Sequence, residues 1–288
     1  MELPDIFQRP EVRESIQLAL REDLGDIGVD VTSESLVPPE ARAEAHLMAR
    51  EPCTVAGVAV AREVFVQLDP ALSIEICVGD GIPVEAGTIV MIIRGAARSI
   101  LTAERTALNF MQRMCGVATI TSRYVQAAGN PDVDILCTRK TTPLLRPFEK
   151  YAVRCGGGVN HRYGLFDAVL IKDNHLASWE RTHGIGVGEA VAAARSKYPG
   201  LKIEVEVDTI EQLREALETR PDWVLLDNMP PPVLRECVVL CKGICRTEAS
   251  GGITLKTIHD VAHTGVDAIS VGALTHSAPS IDLALDFV

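Results

Sequence analysis

The stretch K-I-E-V-E-V-D-T-I-E-Q-L-R-E-A-L-E-T-R-P-D-W-V-L-L-D-N, from Lys202 to Asn228, decides the fold. Its first part, Lys202 to Val207, alternates β-branched and acidic residues, the period of an extended strand. Ile210 to Glu218 then reads as a helix, and Trp223 to Leu226 as a second short apolar strand. A strand, a helix and a strand within so short a span describe two parallel strands joined through a helix.

The same rhythm extends in both directions. Val133 to Cys137, Ala168 to Ile171, Ile244 to Glu248 and Ala268 to Val271 are further apolar runs, and Val187 to Lys197, Pro231 to Leu240 and Leu255 to His263 read as intervening helices. Regular alternation predicts a parallel sheet and favours a barrel. About six strands fall short of eight, so an irregular, open α/β barrel is expected.

The earlier sequence reads differently. Glu11 to Leu24 carries the helical spacing Val12, Ile16 and Leu20, ended by Gly25 and an Asp30-Val31-Thr32 turn leading to a polar loop. Ala43 to Ala49, Leu72 to Val78 and Thr88 to Arg94 read as strands separated by glycine turns, giving a small α+β domain. Ser99 to Ala128 reads as a long linker helix interrupted near Gly116. The expected division is 1–117, 118–276 and a final segment, 277–288.

Composition narrows the function. A 47% hydrophobic but only 4% aromatic chain has an aliphatic core and few rings on which bases stack. A net charge of -11 argues against a nucleic-acid surface. The start M-E-L-P-D-I-F-Q-R-P lacks the pattern of a secretory signal, and no apolar run reaches spanning length, so a cytoplasmic protein without a membrane contact is expected. Eight cysteines suit a reducing compartment as buried thiols. Cys237, Cys241 and Cys245 raise a metal reading, but no histidine pair follows at zinc spacing.

Against that acidic background, the segment from Arg139 to Lys172 holds Arg139, Lys140, Arg146, Lys150, Arg154, Arg162 and Lys172, opposed by Glu149 and Asp167, with His161 among them. Such local positive charge implies an anionic ligand. Arg139 and Lys140, Lys172, Glu206 with Asp208, Asp227, Ser250 and Gly272 also stand at or just beyond the ends of different apolar runs. In a parallel barrel those ends converge on one face, where active sites form. Charged residues also terminate ordinary strands, so the set argues more than any member.

Two loops suit a phosphate. Ser250-Gly251-Gly252 and Gly272-Ala273 follow the last two strands, where backbone N–H groups can face one oxyanion. Glu206 and Asp227 suit Mg²⁺, which binds through one or two carboxylates plus substrate phosphates. Glu204, Glu206 and Asp208 share a strand face by alternation, and Glu206 is preferred for its place near the strand end. Arginine suits planar capture of carboxylates, so Arg139, His161, Arg162 and Lys172 fit a small polyanion. Lys172 alone also permits a Schiff-base aldolase reading, and the phosphate loops permit a phosphosugar-binding module without turnover.

The residues that carry a family resemblance are T-R-K-T from Thr138, E-K-Y-A-V from Glu149, G-G-G-V-N-H-R from Gly156 and L-I-K-D-N-H from Leu170. L-T-A-E-R-T from Leu101, E-V-E-V-D from Glu204, L-L-D-N from Leu225, S-G-G from Ser250 and V-G-A-L-T-H-S from Val271 continue the pattern over nearly the whole chain. The chain resembles the quinolinate phosphoribosyltransferases, also called carboxylating nicotinate-nucleotide pyrophosphorylases.

That resemblance implies an open α/β barrel with a smaller N-terminal α/β sandwich domain to which the last segment returns. It implies that quinolinate and phosphoribosyl pyrophosphate (PRPP) give nicotinate mononucleotide, pyrophosphate and carbon dioxide, with Mg²⁺. Arg139, His161, Arg162 and Lys172 would bind the quinolinate carboxylates, and Lys140 the phosphoribosyl donor. Glu206 and Asp227 would hold the ribose and Mg-pyrophosphate, and Ser250, Gly251, Gly252, Gly272 and Ala273 the 5-phosphate. Arg105 would enter the neighbouring site of a homodimer. Leu144 stands where the family commonly has glycine.

Overall fold

The computed structural model describes residues 6–183 and 186–288. Residues 1–5, part of the stretch read as lacking a secretory signal, lie outside the described residues. Two compact units form. One takes the chain up to Ser122, then Thr141–Gly157 and Ala273–Val288; the other holds Arg123–Lys140 and Gly158–Gly272.

The first unit begins with α1 (Pro10–Leu24), α2 (Val31–Leu36), β1 (Arg42–Ala49), β2 (Cys53–Thr54), α3 (Val58–Leu68), β3 (Ser73–Ile76), β4 (Pro83–Val84) and β5 (Ile89–Ala96). Helix α4 (Ala97–Ala128) follows directly. Alternation in β1 buries Ala45, Leu47 and Ala49, and α3 buries Val60, Ala61, Val64 and Phe65, so both elements contribute to one aliphatic core.

Three sequence expectations need correction here. The 30–32 segment does not open a loop: the Asp30 carboxylate accepts the Thr32 and Ser33 N–H groups and caps α2. Helix α4 runs unbroken through Gly116. A Cβ there would lie 1.8 Å from the Pro279 carbonyl oxygen, so the glycine serves close backbone approach rather than interruption. Helix α3, also unforeseen, is apolar on more than one face, which obscures its period.

Beyond α4 come β6 (Asp134–Leu136), α5 (Arg146–Cys155), β7 (Val169–Ile171), α6 (Asp173–His183), α7 (Val187–Lys197), β8 (Ile203–Val207), α8 (Ile210–Glu218) and β9 (Trp223–Asp227). The chain ends with α9 (Pro231–Cys241), β10 (Arg246–Ser250), α10 (Ile258–Ala262), β11 (Ala268–Ser270), α11 (Ala273–His276) and β12 (Leu283–Phe287). Strand β12 pairs antiparallel with β1, completing a four-stranded sheet of order β12-β1-β5-β3 in the first unit.

The second unit is built on six strands in the order β6-β11-β10-β9-β8-β7, all their pairings parallel. Edge strands β6 and β7 do not pair with each other among the described residues, so the sheet is open. Within it, α8 starts where Thr209 and Gln212 form a reciprocal capping box, and it buries Leu213 and Ala216. Strand β10 sits two residues later than the apolar run from Ile244 suggested, which makes Ser250 its last residue. The polar sequence R-T-E-A-S forms the strand because the backbone ladder to β9, not apolarity, defines it.

All eight cysteines are free, and Cys237 and Cys241 are buried on α9. Leu144 adopts φ 65°, with its side chain exposed. The left-handed conformation costs a residue with a Cβ roughly 1–2 kcal/mol. Leu144→Gly is therefore expected to stabilise the protein by about 1 kcal/mol in denaturant unfolding; a destabilised variant would show that the Leu144 side chain compensates for its backbone.

Candidate active site

Parallel register fixes which side chains share a face. Glu206 lies beside Leu225, Leu225 beside Glu248, and Asp227 beside Ser250. By alternation Glu204 and Glu206 of β8, Leu225 and Asp227 of β9, and Glu248 and Ser250 of β10 all point to one side of the sheet. Glu206, Asp227 and Ser250 stand at its carboxyl-terminal edge, and Glu204 and Glu248 lie one layer deeper.

Lys172 follows β7 and places its ammonium on the Glu206 carboxylate. Its backbone N–H donates to His175 Nδ1 at 3.0 Å, fixing the start of α6. At the opposite edge, β6 ends at Leu136, and Thr138 Oγ1 accepts the Lys140 N–H at 3.0 Å, shaping the turn that carries Arg139 and Lys140.

His161 and Arg162 reach the site by another route. Val159 bridges in parallel to Leu136, with N–H and carbonyl contacts to Ile135 and Cys137, so residues 160–162 leave alongside β6 rather than from a strand end. His161 Nε2 lies 3.0 Å from a Glu204 oxygen and 3.3 Å from one of Glu248. Its Nδ1 accepts the Arg162 N–H at 2.7 Å. Arg162 Nη1 donates to the Ala168 carbonyl at 3.2 Å, and Asp167 accepts the N–H groups of Tyr163 and Gly164.

The electrostatics follow from burial. Desolvation pushes the Glu204 carboxyl up to about 7, helped by the charge of Glu248 and opposed by the hydrogen bond to His161. Burial also disfavours charge on His161, but hydrogen bonds to Glu204 and Glu248 outweigh it and raise its pKa. Those carboxylates favour an imidazolium, whereas the Arg162 amide requires a bare Nδ1. Geometry decides for the Nε2–H tautomer, because a protonated Nδ1 would set two N–H groups head to head at 2.7 Å. Burial, then the neighbouring charge of Arg139, pull the Arg162 guanidinium downward. Like charge beside a partly buried guanidinium is the kind of environment that an anion relieves.

A cavity of 510 Å³ lies against this layer, lined by His161, Arg162, Glu204 and Glu248 and continuing to Trp223 and Arg246 at the starts of β9 and β10. His161, Glu204 and Glu248 also form a group of three ligating side chains, their nearest atoms within 4.8 Å of one another, and no cysteine joins it. Within it His161 Nε2 lies at hydrogen-bonding distance from both carboxyl groups, 3.0 and 3.3 Å.

The loop after β10 has a strict backbone requirement. Gly251 has φ 92°, and a Cβ there would stand 2.2 Å from Asn228 Oδ1. Asn228 donates through its N–H to the Ser250 carbonyl at 2.9 Å and through Nδ2 to Asp227 at 2.6 Å, so the turns after β9 and β10 interlock. Gly272 follows β11, and Ala273 begins α11.

The second unit thus holds Arg139, Lys140, His161, Arg162, Lys172, Glu206, Asp227, Ser250, Gly251, Gly252 and Gly272. Arg105 is exposed on α4 in the first unit. Arg146, Lys150 and Arg154 belong to α5 and likewise to the first unit, so the seven cations of the basic segment do not form a single cluster by packing within one unit. Sequence reasoning weighed Glu204 only as an alternative to Glu206 and did not single out Glu248. Their signal was present: carboxylates inside strands, two residues before Glu206 and Ser250.

Comparison with known proteins agrees with this architecture. Residues 30–115 match the model of the quinolinate phosphoribosyl transferase N-terminal domain, and residues 117–286 that of the C-terminal domain. A mitochondrial quinolinate phosphoribosyltransferase [decarboxylating] 2 of Nicotiana glauca is 44% identical, covering 96% of this chain and 82% of the relative. A probable nicotinate-nucleotide pyrophosphorylase [carboxylating] of Bacillus subtilis is 42% identical, covering 91% and 90%. The crystal structure of NadC from Streptococcus pyogenes superposes with a TM-score of 0.92 at 37% identity, covering 100% of this chain and 99% of that one. Human nicotinic acid phosphoribosyltransferase, 15% identical with a TM-score of 0.61, shares the fold.

Proposed function

We infer the roles of individual side chains from one premise: the chain belongs to the quinolinate phosphoribosyltransferase family, whose two domains it contains. It transfers the phosphoribosyl group of PRPP to quinolinate with decarboxylation, as a carboxylating nicotinate-nucleotide pyrophosphorylase (EC 2.4.2.19) of de novo NAD biosynthesis. The observation that carries the site assignment is the contact of the Lys172 ammonium with Glu206, in the unit that also holds Asp227 and Ser250 at adjacent strand ends and the His161–Arg162 pair.

Arg139, Arg162 and Lys172 bind the two quinolinate carboxylates, and His161, expected from the family resemblance to bind them too, lines the pocket with both ring nitrogens already engaged by Glu204, Glu248 and the Arg162 amide. Carboxylate binding holds the pyridine nitrogen toward the ribosyl C1, so that binding energy is spent on orientation. Lys140 faces the phosphoribosyl donor and stabilises the charge developing on departing pyrophosphate. Ser250, Gly251, Gly252, Gly272 and Ala273 hold the 5-phosphate through backbone N–H groups. As the C1–O bond to pyrophosphate breaks, C1 gains oxocarbenium character and the pyridine nitrogen forms the new C–N bond.

The ring is then cationic. The carboxylate at its 2-position leaves as carbon dioxide, its bonding pair stays on C2, and a solvent proton completes nicotinate mononucleotide. Decarboxylation needs positioning rather than a protein nucleophile.

Glu206 and Asp227 offer hard oxygen donors at adjacent strand ends, a set that fits Mg²⁺ together with pyrophosphate oxygens. When bound there, the ion supplies neutralisation of the leaving group's charge.

Arg105, exposed on α4, is assigned to the neighbouring site of a homodimer. A heterodimer of one Arg105→Ala subunit and one Lys140→Ala subunit is expected to recover about one working site, since one of its two sites then lacks both defects. Absence of activity in verified heterodimers would contradict shared sites. A cytoplasmic location is proposed, supported by eight free thiols; among the described residues no helix is long and apolar enough to cross a membrane.

The direct test is product identity. Quinolinate with PRPP and Mg²⁺ should yield nicotinate mononucleotide, while borohydride should trap no lysine adduct. A trapped adduct at Lys172 would favour the aldolase reading, and binding without turnover would favour a phosphosugar-binding module.

A further inference from the structure

We propose that Glu204 and Glu248 are positioning residues for quinolinate: together they hold His161 by Nε2, so that its Nδ1 fixes the Arg162 backbone and aims that guanidinium into the pocket. The inference deepens the functional reading above and rests on it.

Glu204 and Glu248 are both buried, and each has one oxygen, Oε1, without a hydrogen-bond partner. Two carboxyl groups in the interior of a sheet are expensive unless something repays them. Neither is an ordinary ion pair with a lysine or arginine. Their shared contact is one imidazole nitrogen, at 3.0 and 3.3 Å.

The geometry gives that contact a consequence. With Nε2 held by the two carboxyl groups and Nδ1 occupied by the Arg162 amide at 2.7 Å, both ring nitrogens have protein partners. The imidazole therefore works as a strut between the sheet floor and the residue that follows it. A strut matters at this place because residues 160–162 are not in a strand: Val159 makes an isolated bridge to Leu136, after which no ladder holds the chain. Beyond Arg162, the Tyr163 and Gly164 amides are tied to Asp167. Arg162 is thus clamped from both sides, and the glutamates form the deeper clamp.

Charge supplies the second reason. Glu204 also acts directly on Arg162, its negative field opposing the desolvation of the guanidinium and the repulsion from Arg139. The glutamates keep the receptor assembled while it waits for a dicarboxylate.

The test is the split between the two substrates. Glu204→Ala and Glu248→Ala should each raise the quinolinate KM about 10- to 100-fold, the usual weight of a hydrogen bond involving a charged group, while leaving the PRPP KM within about twofold. Glu204→Gln and Glu248→Gln keep the shape and an acceptor oxygen for Nε2–H, and should recover most of the loss. They also carry the test if an alanine variant fails to fold. Nitrogen-15 spectra of histidine-labelled wild type should show His161 as the Nε2–H tautomer.

Equal shifts in both KM values, no shift in either, glutamine variants as impaired as alanine variants, or an Nδ1–H tautomer would each overturn the proposal. Failure of wild type to form product would instead strike the functional reading, and is seen before any variant is made.

Discussion

Lys172→Ala is expected to weaken quinolinate binding and lower kcat/KM for quinolinate by roughly 30- to 3,000-fold, the range for truncating one partner of a hydrogen-bonded charge pair. The size comes from a double loss. The ammonium at the end of β7 leaves the carboxylate pocket, and Glu206, only 14% exposed at its side chain, loses its cation. An uncompensated negative charge then faces an incoming dianion. Lys172→Arg should recover part of the activity, because it keeps the charge but not the compact ammonium geometry. Steady-state kinetics with each substrate varied, together with calorimetric binding, measures the effect. Unchanged quinolinate affinity would remove Lys172 from the pocket.

Glu149→Ala is expected to cost about 3–5 kcal/mol of stability in denaturant unfolding, the range for removing one partner of a buried ion pair. Glu149 is fully buried and accepts from Arg113 Nε at 3.0 Å and Nη2 at 2.7 Å, and from the Thr142 N–H and hydroxyl at 3.1 and 2.8 Å. Arg113 also donates to the carbonyls of Ala278 and Thr275. One carboxylate therefore ties α5, the Thr142 turn, α4 and the final segment together. Removing it strands a guanidinium and two Thr142 donors at once. Glu149→Gln should lose less, since it retains an acceptor. A loss below about 1 kcal/mol for the alanine variant would mean that water replaces the carboxylate, contrary to this burial.

The regular part of the fold was readable because its periods are clean. Ile203, Val205 and Val207 announce β8, the stretch from Ile210 to Glu218 reads as the helix after it, and the later strands repeat the pattern. The unforeseen elements lack such signals. Helix α5 lies in a segment dominated by charge, and its only early marker is a proline near the first turn, while Glu149 and Lys150 are buried against expectation. Gly116 looked like an interruption because a sequence does not show which distant backbone, here Pro279, will pass beside it.

The site divides in the same way. Lys172, Glu206, Asp227 and Ser250 could be placed because each stands at or near the end of a recognisable strand. His161 and Arg162 could be listed but not placed, since an isolated bridge from Val159 carries them into the sheet face. Glu204 and Glu248 were hidden for a related reason. Alternation says that they face the same side as the site, but only register reveals that they converge on one imidazole.

The fate of the 2-carboxylate separates decarboxylating phosphoribosyl transfer from every rival reaction. With quinolinate labelled in that group, PRPP and Mg²⁺, labelled carbon dioxide should be released in a one-to-one ratio with pyrophosphate and nicotinate mononucleotide. Absence of labelled carbon dioxide at saturating substrate, or nucleotide formed with the label retained, would contradict the account.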